Sequence, residues 1–303
     1  MIDSQAWLAL SEVPRAGLDL GALMAAAPFL ALSPAGDGHP VVVLPGYLAN
    51  DDSTWILRTY LGRLGYEAHP WGQDRNLGVT AMGGYESLVN HVLRIHRTTG
   101  KKVSLVGWSL GGVHALAVAH RAEYAVRSII TLGSPLIPPK ADGSDQTTLG
   151  RAVAGSMRGA QGAMTKNLTK GMQQAMPGDS LATLSKGIEQ GMEQTLGKEM
   201  TENLGKQARQ MAQQTAVAWS NALLKLSPKL PITSIYSRTD GVVPHTRSLL
   251  EDGKRRENIE VVSSHLGLGV NPTVLFAIAD RLAQKEGKFK KFSKGGMRSL
   301  LYP

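Results

Sequence analysis

Val103-Ser104-Leu105-Val106-Gly107-Trp108-Ser109-Leu110-Gly111 decides how this chain is read. Residues 103–106 read as a β-strand. Leu110 to Arg121, rich in Ala and Val, reads as a helix. Between them stands Gly-x-Ser-x-Gly. A serine held between a strand end and a helix start is forced into a sharp, strained turn. The flanking glycines leave room there for neighbouring backbone. The hydroxyl of Ser109 then projects above the sheet, and the helix N-terminus lends positive potential to an oxyanion developing beside it. A chain with 34 glycines can produce the bare pattern by chance. The strand before it and the helix after it make Ser109 a candidate nucleophile.

Outward from this stretch, short β-branched runs alternate with helical patterns. Val41-Val42-Val43-Leu44 is apolar throughout, as a strand covered on both faces must be. Glu67-Ala68-His69 is a weaker strand. Arg127–Leu132, Ile232–Tyr236 and Ile259–Val262 are further strands. Ser53–Leu64 reads as a helix, with Asp51, Asp52 or Ser53 to cap it. Tyr85–Arg97 is helical, with Leu88, Val92 and Ile95 on one face. Asn271–Ala283 closes the pattern, with Asn271 as cap and Pro272 at the first helical position. Such alternation predicts an α/β fold with a mostly parallel, doubly wound sheet.

Before the first strand, an apolar stretch from Leu18 to Leu32 is interrupted by Asp19 and Pro28. It is too short and broken to span a membrane and predicts an N-terminal helix packed on the domain. Residues 1–12 carry Asp3 and Glu12 and no basic residue, which is not a signal-peptide layout, so a cytoplasmic location is expected.

After Gly133-Ser134-Pro135 the strand signals stop until Pro231. Residues 138–227 are rich in Gly, Met, Gln and Ala, and Leu196, Met200, Leu204, Ala208 and Met211 form a helical stripe. This predicts a core over residues 1–137, a helical cap over 138–227 and the rest of the core over 228–303. The cap leaves the sheet at the carboxyl end of a strand, on the side of Ser109, and is expected to line an acyl pocket.

With 303 residues, 42% of them hydrophobic, the chain can bury a large core. It has no cysteine, which excludes disulfides, thiolate metal sites and a cysteine nucleophile. No metal-ligand spacing is present. Net charge is +9, and part of it is a tail containing Lys285, Lys288, Lys290, Lys291, Lys294 and Arg298. Phe289 and Phe292 among those lysines suit contact with an anionic membrane surface. No nucleic-acid recognition motif accompanies the charge, so nucleic acid is not an expected partner.

A serine nucleophile needs a base. Of eight histidines, His91, His96, His114 and His120 fall within predicted helices, where a packed or solvated histidine is usual. His265 follows the last predicted strand, in the kind of loop where ligand chemistry collects in open α/β sheets. It is the favoured base, with His245 in reserve. Asp240 follows the strand Ile232–Tyr236 and is the candidate acid, although Thr-Asp-Gly is also an ordinary turn. The order Ser109, Asp240, His265 is that of α/β hydrolases.

On Val43-Leu44-Pro45-Gly46-Tyr47, the Ser109 elbow, Thr131-Leu132-Gly133-Ser134-Pro135, Asp240 and His265, the chain resembles the lipase and carboxylesterase branch of the α/β-hydrolase superfamily. The resemblance covers residues 40–137 and 228–283. It implies hydrolysis of a hydrophobic acyl ester, from a small molecule or lipid, with no cofactor. It also implies an oxyanion hole built from the N–H of Leu110 and of Tyr47. Pro45 stands where the family usually has histidine, which leaves Leu48 as an alternative to Tyr47. Acyl transfer to an alcohol by the same triad is the neighbouring expectation. A hydrolase-fold binding protein without turnover is the non-enzymatic one.

Overall fold

The computed structural model describes residues 7–9, 11–79, 82–137, 229–251 and 253–303. The expected cap over 138–227 lies outside the described residues. In chain order the elements are helix α1 (Glu12–Leu30), strand β1 (Pro40–Leu44), helix α2 (Trp55–Arg63), strand β2 (Glu67–Pro70), helix α3 (Glu86–Thr99), strand β3 (Val103–Trp108), helix α4 (Leu110–Ala122), strand β4 (Val126–Leu132), strand β5 (Ile232–Ser237), strand β6 (Arg256–Val261) and helix α5 (Pro272–Leu282).

All strand pairs are parallel, in the order β2-β1-β3-β4-β5-β6. From β1 the chain moves outward to β2 and then returns to place β3 on the other side of β1. Ligand crevices in open α/β sheets form where the winding reverses in this way, beyond the carboxyl ends of the strands. Here that point lies between β1 and β3.

Side chains alternate across each strand, so one apolar run serves two layers. Val41 and Val43 face α1, α2 and α5 through Leu30, Leu57, Leu61, Leu275 and Ile278. Val42 and Leu44 face α3 and α4 through Leu88, Val92, Leu116 and Ala119. All five residues of β1 are buried, which is why its sequence shows no polar alternation.

Two local expectations need correction. Asp51 does not cap the helix after it. Its carboxylate accepts the N–H of Trp71 (2.9 Å) and Gly72 (3.4 Å), tying the start of α2 to the end of β2. β6 begins at Arg256, three residues before the apolar run suggested. Glu257 is tolerated inside it because Arg281, Thr233 and the Phe292 N–H all donate to its carboxylate. Asn271 does cap α5, accepting from the N–H of Thr273 and Val274.

The basic tail runs back over α5. Its lysines are exposed, while the Phe292 ring turns inward against Tyr302 at 4.7 Å. Among the described residues no helix is long and apolar enough to cross a membrane.

Candidate active site

Ser109 caps α4 with φ 53° and ψ −122°. A left-handed φ is rare and costly for a residue with a side chain. Packing around the turn supports it. A Cβ on Gly107 would overlap the backbone of Gly111 and Gly112, and one on Gly111 would overlap the Leu44 carbonyl oxygen. The two glycines of Gly-x-Ser-x-Gly are therefore required by the approach of α4 to β3 and β1. Ser109 donates its N–H to the Leu132 carbonyl (2.8 Å), which anchors the elbow to β4. A Cβ on Gly46, just past β1, would stand 3.3 Å from the Ser109 Cβ, so the serine sits at the β1/β3 crevice.

Asp240 and His265 come from the loops after β5 and β6. His265 Nδ1 lies 2.6 Å from Asp240 Oδ2, and the residues are 5% and 2% exposed, so the bond is shielded from water. The other oxygen, Oδ1, accepts the N–H of Val242 (2.8 Å) and Val243 (2.7 Å). Because a carboxylate only accepts, the imidazole carries its proton on Nδ1 and leaves Nε2 as the basic nitrogen. Burial pushes His265 toward the neutral form, but the Asp240 carboxylate, its hydrogen bond and the nearby Glu12 charge outweigh this and raise its pKa.

Gly133, at the end of β4, joins the pieces. It adopts φ +53°, and a Cβ there would lie 2.9 Å from Asp240 Oδ2 and 3.2 Å from His265 Nδ1. Leu132, its neighbour, is the residue that accepts the Ser109 N–H. Trp108 adds a link from β3, donating its indole N–H to the His265 carbonyl at 3.1 Å. Among the described residues nothing hydrogen-bonds the Ser109 hydroxyl.

A family model described as the alpha/beta hydrolase fold matches residues 44–267, a span that contains the whole constellation. The chain belongs to the alpha/beta hydrolase family. No curated protein sequence matches it. Among solved structures, this alpha/beta hydrolase is similar to a Burkholderia cenocepacia protein whose proposed activity is that of an aryl esterase (TM-score 0.50, 15% identity, covering 82% of this chain and 93% of that one). It is also similar to a monoacylglycerol lipase from Paleococcus ferrophilus (0.49, 16%, covering 83% and 96%). A third is the epoxide hydrolase VrEH1 from Vigna radiata (0.46, 16%, covering 82% and 90%). Identities this low speak to the fold alone.

The reserve base is elsewhere. His245 lies in a short turn, its ring stacked on Tyr236 at 6.3 Å, and Asp240 is bonded to His265 instead. The alternative between Tyr47 and Leu48 also narrows. Leu48 donates its N–H to the Asn76 carbonyl (2.7 Å). Among the described residues nothing accepts the Tyr47 N–H.

Asn76 is a residue the sequence reading missed. Fully buried, it donates from Nδ2 to the Pro45 carbonyl (2.9 Å) and exchanges backbone bonds with Leu48 and Ala49. Its Oδ1 faces His114 Nε2 at 3.1 Å, and His114 Nδ1 faces the Tyr85 hydroxyl at 3.1 Å. The donors order themselves: Tyr85 O–H to His114, His114 N–H to Asn76, Asn76 N–H to Pro45. Every member is satisfied if His114 is neutral, and complete burial holds its pKa down at about 4. This chain secures the 45–49 loop beside Ser109.

Proposed function

We propose that the protein is a serine carboxylic-ester hydrolase acting through Ser109, His265 and Asp240. The observation that carries this reading is the buried 2.6 Å Asp240–His265 bond beside a serine at φ 53°. In this reading His265 Nε2 takes the Ser109 proton as the hydroxyl attacks an acyl carbonyl. The N–H groups of Tyr47 and Leu110 hold the oxyanion, and the N-terminus of α4 adds its dipole. His265 then protonates the departing alcohol, and water repeats the sequence on the acyl-enzyme.

The test combines a fluorophosphonate probe with p-nitrophenyl esters of graded chain length. The wild type should be labelled at Ser109 and should hydrolyse some of the series. Ser109→Ala should lose both while unfolding at the wild-type temperature, because among the described residues the hydroxyl has no hydrogen bond to lose and the elbow is half-buried. Hydrolysis by Ser109→Ala near the wild-type rate would refute the assignment.

A further inference from the structure

Helix α1 carries two carboxylates that the mechanism above does not use. Glu12 is 1% exposed and Asp19 is 8% exposed, although both stand in a mostly apolar helix. An unpaired buried charge is costly, so the partners explain the residues. Glu12 Oε1 accepts the N–H of Gly241 (2.7 Å), and Oε2 accepts the N–H of Leu266 (3.1 Å). These are the residues directly after Asp240 and His265. One carboxylate therefore bridges the loop of the acid and the loop of the base.

Asp19 holds the turn that leads into His265. It accepts the N–H of Ser264 (3.1 Å), the Ser264 hydroxyl (2.8 Å) and the Asn271 amide (2.7 Å). Gly267 has no room for a Cβ because the Asp19 carboxylate occupies that space. A Cβ on Gly241 would stand 2.6 Å from the Ala9 nitrogen, so the chain before α1 is seated equally closely. Ala16 and Val13 of α1 pack on Leu266 and Val242.

We propose that α1 is a positioning element of the active site, in which Glu12 fixes the Asp240 and His265 loops against each other and its charge supports the imidazolium of His265. This rests on the reading of Ser109, Asp240 and His265 given above. The charged groups facing Glu12 are Asp240 and His265 from the two loops and Arg15 from its own helix. Arg15 bonds Glu12 at 2.8 Å and reaches across to the Thr239 carbonyl at 2.6 Å. Burial and the Asp240 charge raise the Glu12 pKa, but two N–H groups and a guanidinium are all donors, so the site is built for the ionised form. An imidazolium forms in each half-cycle of the proposed reaction, and a fixed charge beside it lowers the energy of that step.

The test is Glu12→Gln, which keeps the shape, removes the charge and turns a donor toward one of the two N–H groups. Two quantities are read in the folded variant: ester turnover, and the titration of His265 by NMR of the labelled imidazole. We expect kcat to fall about 10- to 100-fold, as for a misplaced catalytic group, and the His265 pKa to drop by roughly half a unit or more. Glu12→Asp, which keeps the charge on a shorter arm, should lose turnover while His265 titrates as in the wild type. Unchanged turnover in Glu12→Gln, or lost turnover with an unmoved His265 titration, would overturn the proposal. If Glu12→Gln does not fold, the wild type still decides. Its Glu12 carboxyl resonance should show a second inflection as His265 titrates, and a single inflection would overturn the link. The His265 titration does not depend on Ser109, so failure of the hydrolase reading and failure of the Glu12 role are seen separately.

Discussion

His114 offers a test of the framework behind Ser109 with a magnitude that can be worked out. It is wholly buried between Tyr85 and Asn76, and burial lowers its pKa from 6.5 to about 4. In the unfolded chain it protonates near 6.5, so between those values the unfolded state binds more protons than the native one. The stability of the neutral form is therefore intact above 6.5 and is lost as pH falls toward 4. At about 1.4 kcal/mol per unit, the whole loss is about 3 kcal/mol, and at pH 4.5 about 2.5 kcal/mol is already gone. That is a large share of the ~5–15 kcal/mol typical of a domain. The perturbation is His114→Gln, which still donates an N–H toward Asn76 and does not titrate. Urea unfolding of both proteins near pH 7.5 and pH 4.5 gives four free energies. The wild type should lose about 2.5 kcal/mol more than the variant between the two pH values. Other titrating groups cancel in that difference, as does the constant cost of the substitution. Equal losses in the two proteins would refute the assignment of His114 as a buried neutral link.

Two further outcomes follow from the Asp240–His265 pair. In Asp240→Asn, the N–H groups of Val242 and Val243 hold the amide oxygen, so its NH2 faces His265 Nδ1 and the proton is forced onto Nε2. Turnover of p-nitrophenyl esters should fall on the order of 10⁴-fold, the size of the aspartate-to-asparagine loss in the serine-protease triad; a loss under about tenfold would refute the role. The raised pKa of His265 places the acid limb of kcat/KM above the ordinary histidine value of 6.5, with activity falling as pH drops through it. A profile flat from about pH 5 to about pH 9 would contradict a histidine base.

Much of this architecture was legible because the relevant signals are local. The run Val41–Leu44 is apolar since both its faces are covered, and Gly107 and Gly111 flank Ser109 since nothing larger fits. Asn271-Pro272 marks its helix start through bonds within three residues. What was not legible depends on partners remote in sequence. Asp51 looked like a cap because the N–H donors of a helix start lie close by in sequence, but the N–H groups its carboxylate accepts come from the end of β2. Glu257 hid the start of β6 because a buried glutamate looks polar until Arg281 is placed against it. Asp19 looked like an interruption of an apolar run, when a lone carboxylate in such a run is the mark of a buried partner. Glu12 and Asn76 gave no local signal at all.

The reach of α1 also bears on how the molecule is made. Glu12 bonds Gly241 across 229 residues and Leu266 across 254. At synthesis rates of about 5–20 residues per second, the helix leaves the ribosome on the order of 10–50 s before its docking site exists. Throughout that interval Leu20 lacks its buried partner Val270, and two carboxylates wait in water for the loops they will later join. Helix α1 is thus among the last elements to settle. Competence for the proposed chemistry is a late event in the life of each new chain, arriving only when α1 meets the loops after β5 and β6.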